Sequence, residues 1–307
     1  MGKRHRRHAG SDQHGRLRLT RRIADGTVTA VPSYRETSRP GLDGRIFVAL
    51  LSLDELVRDM RSGVKFPSEI LDGESALQSY LLYVSILVDI VLADIVMSAM
   101  NCNDQMVRMK LRMLVEYAAK AAYFDDNRDY ALWMMTINEA EQTLRKLTDA
   151  ESEPQAKDAV AERIAILRAQ FPHLAHFQRP ERFGTIMRRY ASSDDVVWLY
   201  NAPSALMHGD PEGFRALMDV SPDGAGFLRI ELAIEEVNAM LVDSGRNALM
   251  FCDRFIRCFR QADEDLAARY RDIYTAFLKM LLLHPLGRDA ESLQEVKDEL
   301  AVRQAIQ

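Results

Sequence analysis

The sequence predicts an all-α fold: a multi-helix bundle with one small β-hairpin near residues 214–230 and a disordered basic N-terminal arm. Turn formers are scarce, with 15 Gly and 10 Pro in 307 residues, about 8% against roughly 12% in average usage. They are also unevenly placed. Residues 74–153 contain neither, and between Gly226 and Pro285 only Gly245 intervenes. Sandwiches and barrels need a turn roughly every 8–12 residues, which those stretches do not supply. Short β-branched runs bounded by turn residues do not recur either, which argues against a βαβ architecture.

The elements follow in order. Residues 1–45 read as an arm, 46–285 as one helical bundle domain and 286–307 as a peripheral C-terminal helix. Within residues 1–22, eight basic side chains face the single acid Asp12, giving +7 and leaving −12 for the rest of a chain whose formal charge is −5. The arm is poor in large apolar residues and cannot repay its ordering entropy. It either sits on phosphates with little sequence selectivity or keeps the protein soluble. Arg6-Arg7 and Arg21-Arg22 are followed by no apolar segment, so export is not expected. His5, His8 and His14 have no fixed geometry in which to hold a metal.

Phe47 to Met60 reads as a first helix, and Ser68 or Gly73 opens a long one from Glu74 to Met100. Within it, the run from Tyr80 to Met100 comes nearest to a membrane span but contains Asp89 and Asp94. Each acid near a span centre costs about 2.5–3.5 kcal/mol. A helix apolar on nearly all sides is then the central helix of a bundle, and both acids must be paired, near its surface or part of a site.

Asn103 or Asp104 caps the next helix, Gln105 to Phe124, and Asp125-Asp126-Asn127 caps a third, Arg128 to Leu147. A charged helix runs from Gln155 to Gln170, followed by an aromatic and basic connector and a short helix from Glu181 to Ala191. Ser193 caps another helix running toward Gly209. Phe214–Val220 and Gly226–Ile230 flank Ser221-Pro222-Asp223-Gly224, which reads as a hairpin turn. Helices from Glu231 to Arg260 and Asp263 to Leu283 close the bundle, and an amphipathic segment, Asp289 to Ala305, lies outside it. Cys102, Cys252 and Cys258 are too scattered for a disulfide framework or a zinc knuckle, so a reducing, cytoplasmic compartment is expected.

Two features carry chemistry. On the helix from Gln105 to Phe124, Arg108, Arg112, Glu116 and Lys120 recur every four residues as one polar row beside an apolar face. The bland reading is a solvated stripe whose pairs contribute a few tenths of a kcal/mol each. Its place in the most apolar part of the chain gives weight to the alternative, a site. In YNAPSALMHGD, residues 200–210, Tyr200, Ser204 and His208 fall four apart and share a face if the helix runs through Pro203. Gly209 stops that helix, leaving His208 where the dipole favours its protonated form. The bland reading here is a histidine capping its own helix. His173 and His176 share no obvious acidic partner, and there is neither a G-x-S-x-G elbow nor a Gly-rich phosphate loop. No cofactor or metal is expected.

Together, RMLVEYAAKAAYF (112–124) and YNAPSALMHG about ninety residues later resemble the bacterial "domain of unknown function 5677" family. Its members share an Arg-x-x-x-Glu helix and a later Tyr-x-x-x-Ser-x-x-x-His helix. The resemblance spans residues 50–285 and rests on Arg112, Glu116, Tyr200, Ser204 and His208. More distantly, Glu116-x-x-x-Lys120 and His208-Gly209 are similar to the HEPN superfamily of helical bundles, which includes abortive-infection proteins and metal-independent ribonucleases. Those nucleases place an arginine before the histidine on one helix, where this chain has Asn201, Ala202 and Pro203. Either Arg112 replaces that arginine from another helix, or the chain is a noncatalytic relative.

The resemblance implies an RNA- or nucleotide-binding protein of stress or phage defence. His208 would be general acid/base, Arg112 would stabilise phosphate charge and Glu116 would orient Arg112, with Ser204, Tyr200 and Lys120 binding the substrate. HEPN-like proteins often dimerise, and the C-terminal amphipathic helix offers a surface for a homodimer. The alternative is a noncatalytic helical interaction module in which the same cluster is structural. No membrane partner is expected.

Overall fold

The structure, a computed structural model, describes residues 40–150, 154–190, 218–220, 226–228, 232–259, 264–285 and 288–306. Most of the basic arm, and the helix expected after Ser193 with Tyr200, Ser204 and His208, lie outside the described residues.

Helix α1, Gly44–Arg61, starts at Gly44 rather than Phe47 because Asp43 caps it, its carboxylate accepting the Arg45 N–H at 2.9 Å. The Asp43 N–H donates to Asn238 Oδ1 at 3.1 Å, Asn238 Nδ2 donates to the Gly41 carbonyl at 3.1 Å, and His284 Nε2 lies 3.1 Å from the Asp43 carboxylate. The chain just before α1 is therefore tied to two distant parts of the sequence.

Helix α2 spans Gly73–Met100. Its cap is Asp72, next to both expected openers, in a reciprocal box: the Asp72 carboxylate accepts the Ser75 N–H at 2.8 Å, and the Ser75 hydroxyl accepts the Asp72 N–H at 3.1 Å. Gly73 is required by a close crossing, since a Cβ there would stand 2.5 Å from Arg128 Cβ. At the other end the Asn103 N–H bonds the Ser98 carbonyl (2.8 Å) and the Cys102 N–H the Ala99 carbonyl (3.3 Å), the paired bonds of a Schellman stop. Cys102 takes the left-handed position, φ 55°, that glycine usually fills.

Helix α3, Asp104–Asp126, is capped by Asn103. The third expected helix begins on cue as α4, Arg128–Trp133, but then widens into a π-helical turn, Met134–Asn138, before α5, Glu139–Asp149. Within that turn the Thr136 hydroxyl donates to the Leu132 carbonyl, a local bond that competes with regular winding. Helix α6, Pro154–Gln170, folds back on α5, and a 3₁₀ turn, Pro172–His176, leads to α7, Phe183–Tyr190. Two three-residue strands, β1 (Met218–Val220) and β2 (Gly226–Leu228), pair antiparallel with Asp219 opposite Phe227. The turn expected between them lies outside the described residues. Helices α8, Ile234–Cys258, α9, Glu264–Leu283, and α10, Ala290–Ile306, complete the chain.

The architecture is all-α. Helix α3 is packed between α2 and α8. The buried Asp104 carboxylate accepts the Leu232 N–H at 2.7 Å, tying the start of α8 to the start of α3. At the far end Cys258 and Arg128 both meet Glu74, so α3 and α8 run in the same direction. Helix α9 crosses α8 at Gly245, where a Cβ would stand 2.0 Å from the Phe277 ring.

Both acids of the apolar run are ion-paired. Asp89 accepts from Arg58 and Arg61 of α1, each at 3.0 Å, and Asp94 accepts from Lys110 of α3 at 2.7 Å. Burial raises the Asp89 carboxyl, but hydrogen bonds with Asp54, Arg61 and Arg58 outweigh it and hold it below the ordinary carboxylate range. Helix α2 is not enclosed on all sides: Tyr83, Ile86, Ile90 and Met97 are exposed along one stripe. Its sequence read as a central helix, but α8 occupies the more enclosed position, burying Asn238, Asp243, Ser244 and Asn247 along with its apolar face. By length and composition alone, α2 is long and apolar enough to cross a membrane, and half of its most apolar window is buried in the bundle.

Candidate functional site

The polar row of α3 forms because Arg108, Arg112, Glu116 and Lys120 recur at four-residue steps, turning only slowly around the helix axis. On the opposite side Val107, Leu111, Leu114, Val115 and Ala118 are buried. The row itself is half-buried. Lys120 donates to Glu116 at 2.6 Å, with side chains 34% and 25% exposed, so the pair is neither a freely solvated surface bridge nor a core ion pair. Helix α7 closes over its C-terminal end, where Lys120 Nζ lies 5.3 Å from the Phe183 ring centroid. Tyr190, the last residue of α7, donates to Asp126 at 2.7 Å and stands edge-on to Tyr123. The last described residue before Tyr200 therefore lies at this end of α3.

Among the described residues, the buried polar groups of Gln105 and Tyr80 beside the row have no hydrogen-bond partner. Gln105 lies on the same face, one turn before Arg108, and both atoms of its buried amide are unsatisfied among the described residues. At the other end the buried Tyr80 hydroxyl of α2 is also unsatisfied, with its ring against Phe124 (centroids 4.6 Å apart). Burial first, then the charge of Glu116 and the neighbouring Tyr117, push the Tyr80 phenol well above its ordinary value. It stays protonated at neutral pH as a hydrogen-bond donor. Leaving a buried donor or acceptor unmade costs about 1–3 kcal/mol, which a bound water or ligand would recover.

Of the six residues singled out by sequence, the structure brings Arg112, Glu116 and Lys120 together on α3. Tyr200, Ser204 and His208 lie outside the described residues. Sequence reading missed Tyr80, Gln105 and Phe183. Tyr80 and Gln105 sit in segments that read as core and cap, while Phe183 belongs to the aromatic connector whose contact with α3 depends on tertiary folding. Chemically, cationic Arg112 and Lys120, the Glu116 acceptor and the Tyr80 donor suit a polar anionic ligand better than an apolar one. Among the described residues no group of three His, Cys, Asp or Glu side chains is placed to hold a metal ion. No protein-family model, curated protein or solved structure matches the chain.

Proposed function

We propose that this chain is a cytoplasmic, HEPN-like RNA- or nucleotide-binding helical protein acting in stress or phage defence. The α3 row is one wall of its site and the Tyr200–Ser204–His208 segment the other. Arg112 and Lys120 hold phosphate, Glu116 orients Arg112, Tyr200 and Ser204 bind substrate, and His208 donates or accepts the proton. One observation carries the reading: the buried groups of Gln105 and Tyr80, unsatisfied among the described residues, bracket a half-buried row in which three of four side chains are basic. The course of α7, which ends beside Tyr123 and Asp126, supports the juxtaposition. The ion pairs of Asp89 and Asp94 with α1 and α3 support α2 as a bundle helix of a soluble protein rather than a span.

A second reading is a noncatalytic interaction module in which the cluster is structural. The short Lys120–Glu116 bond favours it, because a pair already satisfied needs no ligand. His208→Ala separates the two. Under the first reading the variant melts like the parent and loses cleavage or binding of a single-stranded RNA. Under the second it loses several degrees in Tm, and the parent neither binds nor cleaves RNA.

A further inference from the structure

A cleft of about 680 Å³ opens where α6 folds back on the α4–α5 helix, and the residues after α6 close its end. It involves none of the α3 residues. The volume falls in the range of small-molecule sites, about 300–1,000 Å³. Its floor is apolar and closely packed: Trp133, Ile164 and Phe171 are 2%, 8% and 5% exposed. Phe177 flanks the floor, its ring centroid 5.7 Å from that of Trp133. The rim is charged. Arg168 donates to Glu141 at 2.7 Å, which uses the only acid among the described lining residues, and among those residues Arg145 has no ion pair. Among the described residues the cleft thus joins an aromatic floor to one cation in excess.

The cleft lies beside the π-helical turn: Trp133 and Glu141 flank Met134–Asn138, and both line the cleft together with Ile137. Such turns recur at functional sites.

We propose that this cleft binds a small planar anion, its ring over the aromatic floor and its carboxylate or phosphate on Arg145. Calorimetric titration of the full chain with 1-naphthoate, its neutral amide 1-naphthamide, and adenosine monophosphate tests this. Saturable binding that depends on Arg145 is expected for at least one of the two anions. A carboxylate-selective cleft takes 1-naphthoate alone, and a phosphate-selective one takes the nucleotide. Exposed Arg145→Gln weakens the bound anion at least about tenfold, and 1-naphthamide binds about tenfold more weakly than 1-naphthoate where the latter binds. Ala161→Trp, an exposed position on the lining, fills the cleft and abolishes binding without changing Tm. Failure of both anions to bind overturns the proposal, as does binding undiminished in either variant. Arg112→Gln removes any nucleotide bound at the α3 row but leaves the Arg145-dependent binding unchanged, so loss of the α3 site and loss of the cleft are separately readable.

Discussion

Cys102 and Asp43 each settle a local problem at one residue. Cys102 occupies the left-handed stop of α2 at φ 55°, a conformation that costs an L-residue about 1 kcal/mol or more relative to glycine. Cys102→Gly is therefore expected to stabilise the protein by about 0.5–1 kcal/mol, read as a higher urea midpoint at unchanged m-value. An unchanged or lower midpoint would contradict that account. Asp43 is held at about 2, below its ordinary 3.8: burial raises it, but hydrogen bonds from Arg45 and His284 lower it further. Since the folded value lies below the unfolded one, its contribution is present above about pH 4 and is lost as pH falls toward 2. Asp43→Asn should flatten the acid limb of the stability curve in that window and leave the limb above it parallel to the parent's. The Gly- and Pro-free stretch hid this first turn from sequence reading, because a cysteine does there what a glycine would have announced. Only the flanking Asn101, Asn103 and Asp104 marked it.

Elements were legible where their signals are local. Helices α2, α3 and α6 fall within a few residues of expectation because capping residues and apolar periodicity lie within each segment. The π turn inside the third helix was not legible, since its effect is on register over three turns and no breaker marks it. The enclosed position of α8 was equally hidden, because its buried Asn238, Asp243, Ser244 and Asn247 are polar types that sequence alone does not assign to a core. The α8–α9 crossing is the most demanding contact between elements. Gly245→Ala would drive a methyl into the Phe277 ring, and overpacking of this kind costs about 1–3 kcal/mol. Gly245→Ala combined with Phe277→Leu should recover part of that loss. If Gly245→Ala alone melts like the parent, the crossing is looser than described.

For the whole molecule, the shared face of the α3 row was legible and its surroundings were not. The four-residue spacing identified Arg112, Glu116 and Lys120, whereas the roles of Tyr80 and Gln105 depend on how α2 and α3 pack. The homodimer that the HEPN resemblance implies belongs to this scale. Helix α10 packs on α9, where Tyr274 donates to Glu299 at 3.3 Å, while Val302 stays 60% exposed. Light scattering should read twice the chain mass of 34.9 kDa, falling to one chain with Val302→Glu; a parent that already reads one chain rules the dimer out.

The α3 row and the segment containing His208 are proposed to share one ligand. A double-mutant cycle of Arg112→Gln and His208→Ala on RNA affinity, at matched Tm, tests it most directly. The account predicts a coupling energy of about 0.5–3 kcal/mol, as for groups in one network, and losses additive within about 0.3–0.5 kcal/mol would contradict it.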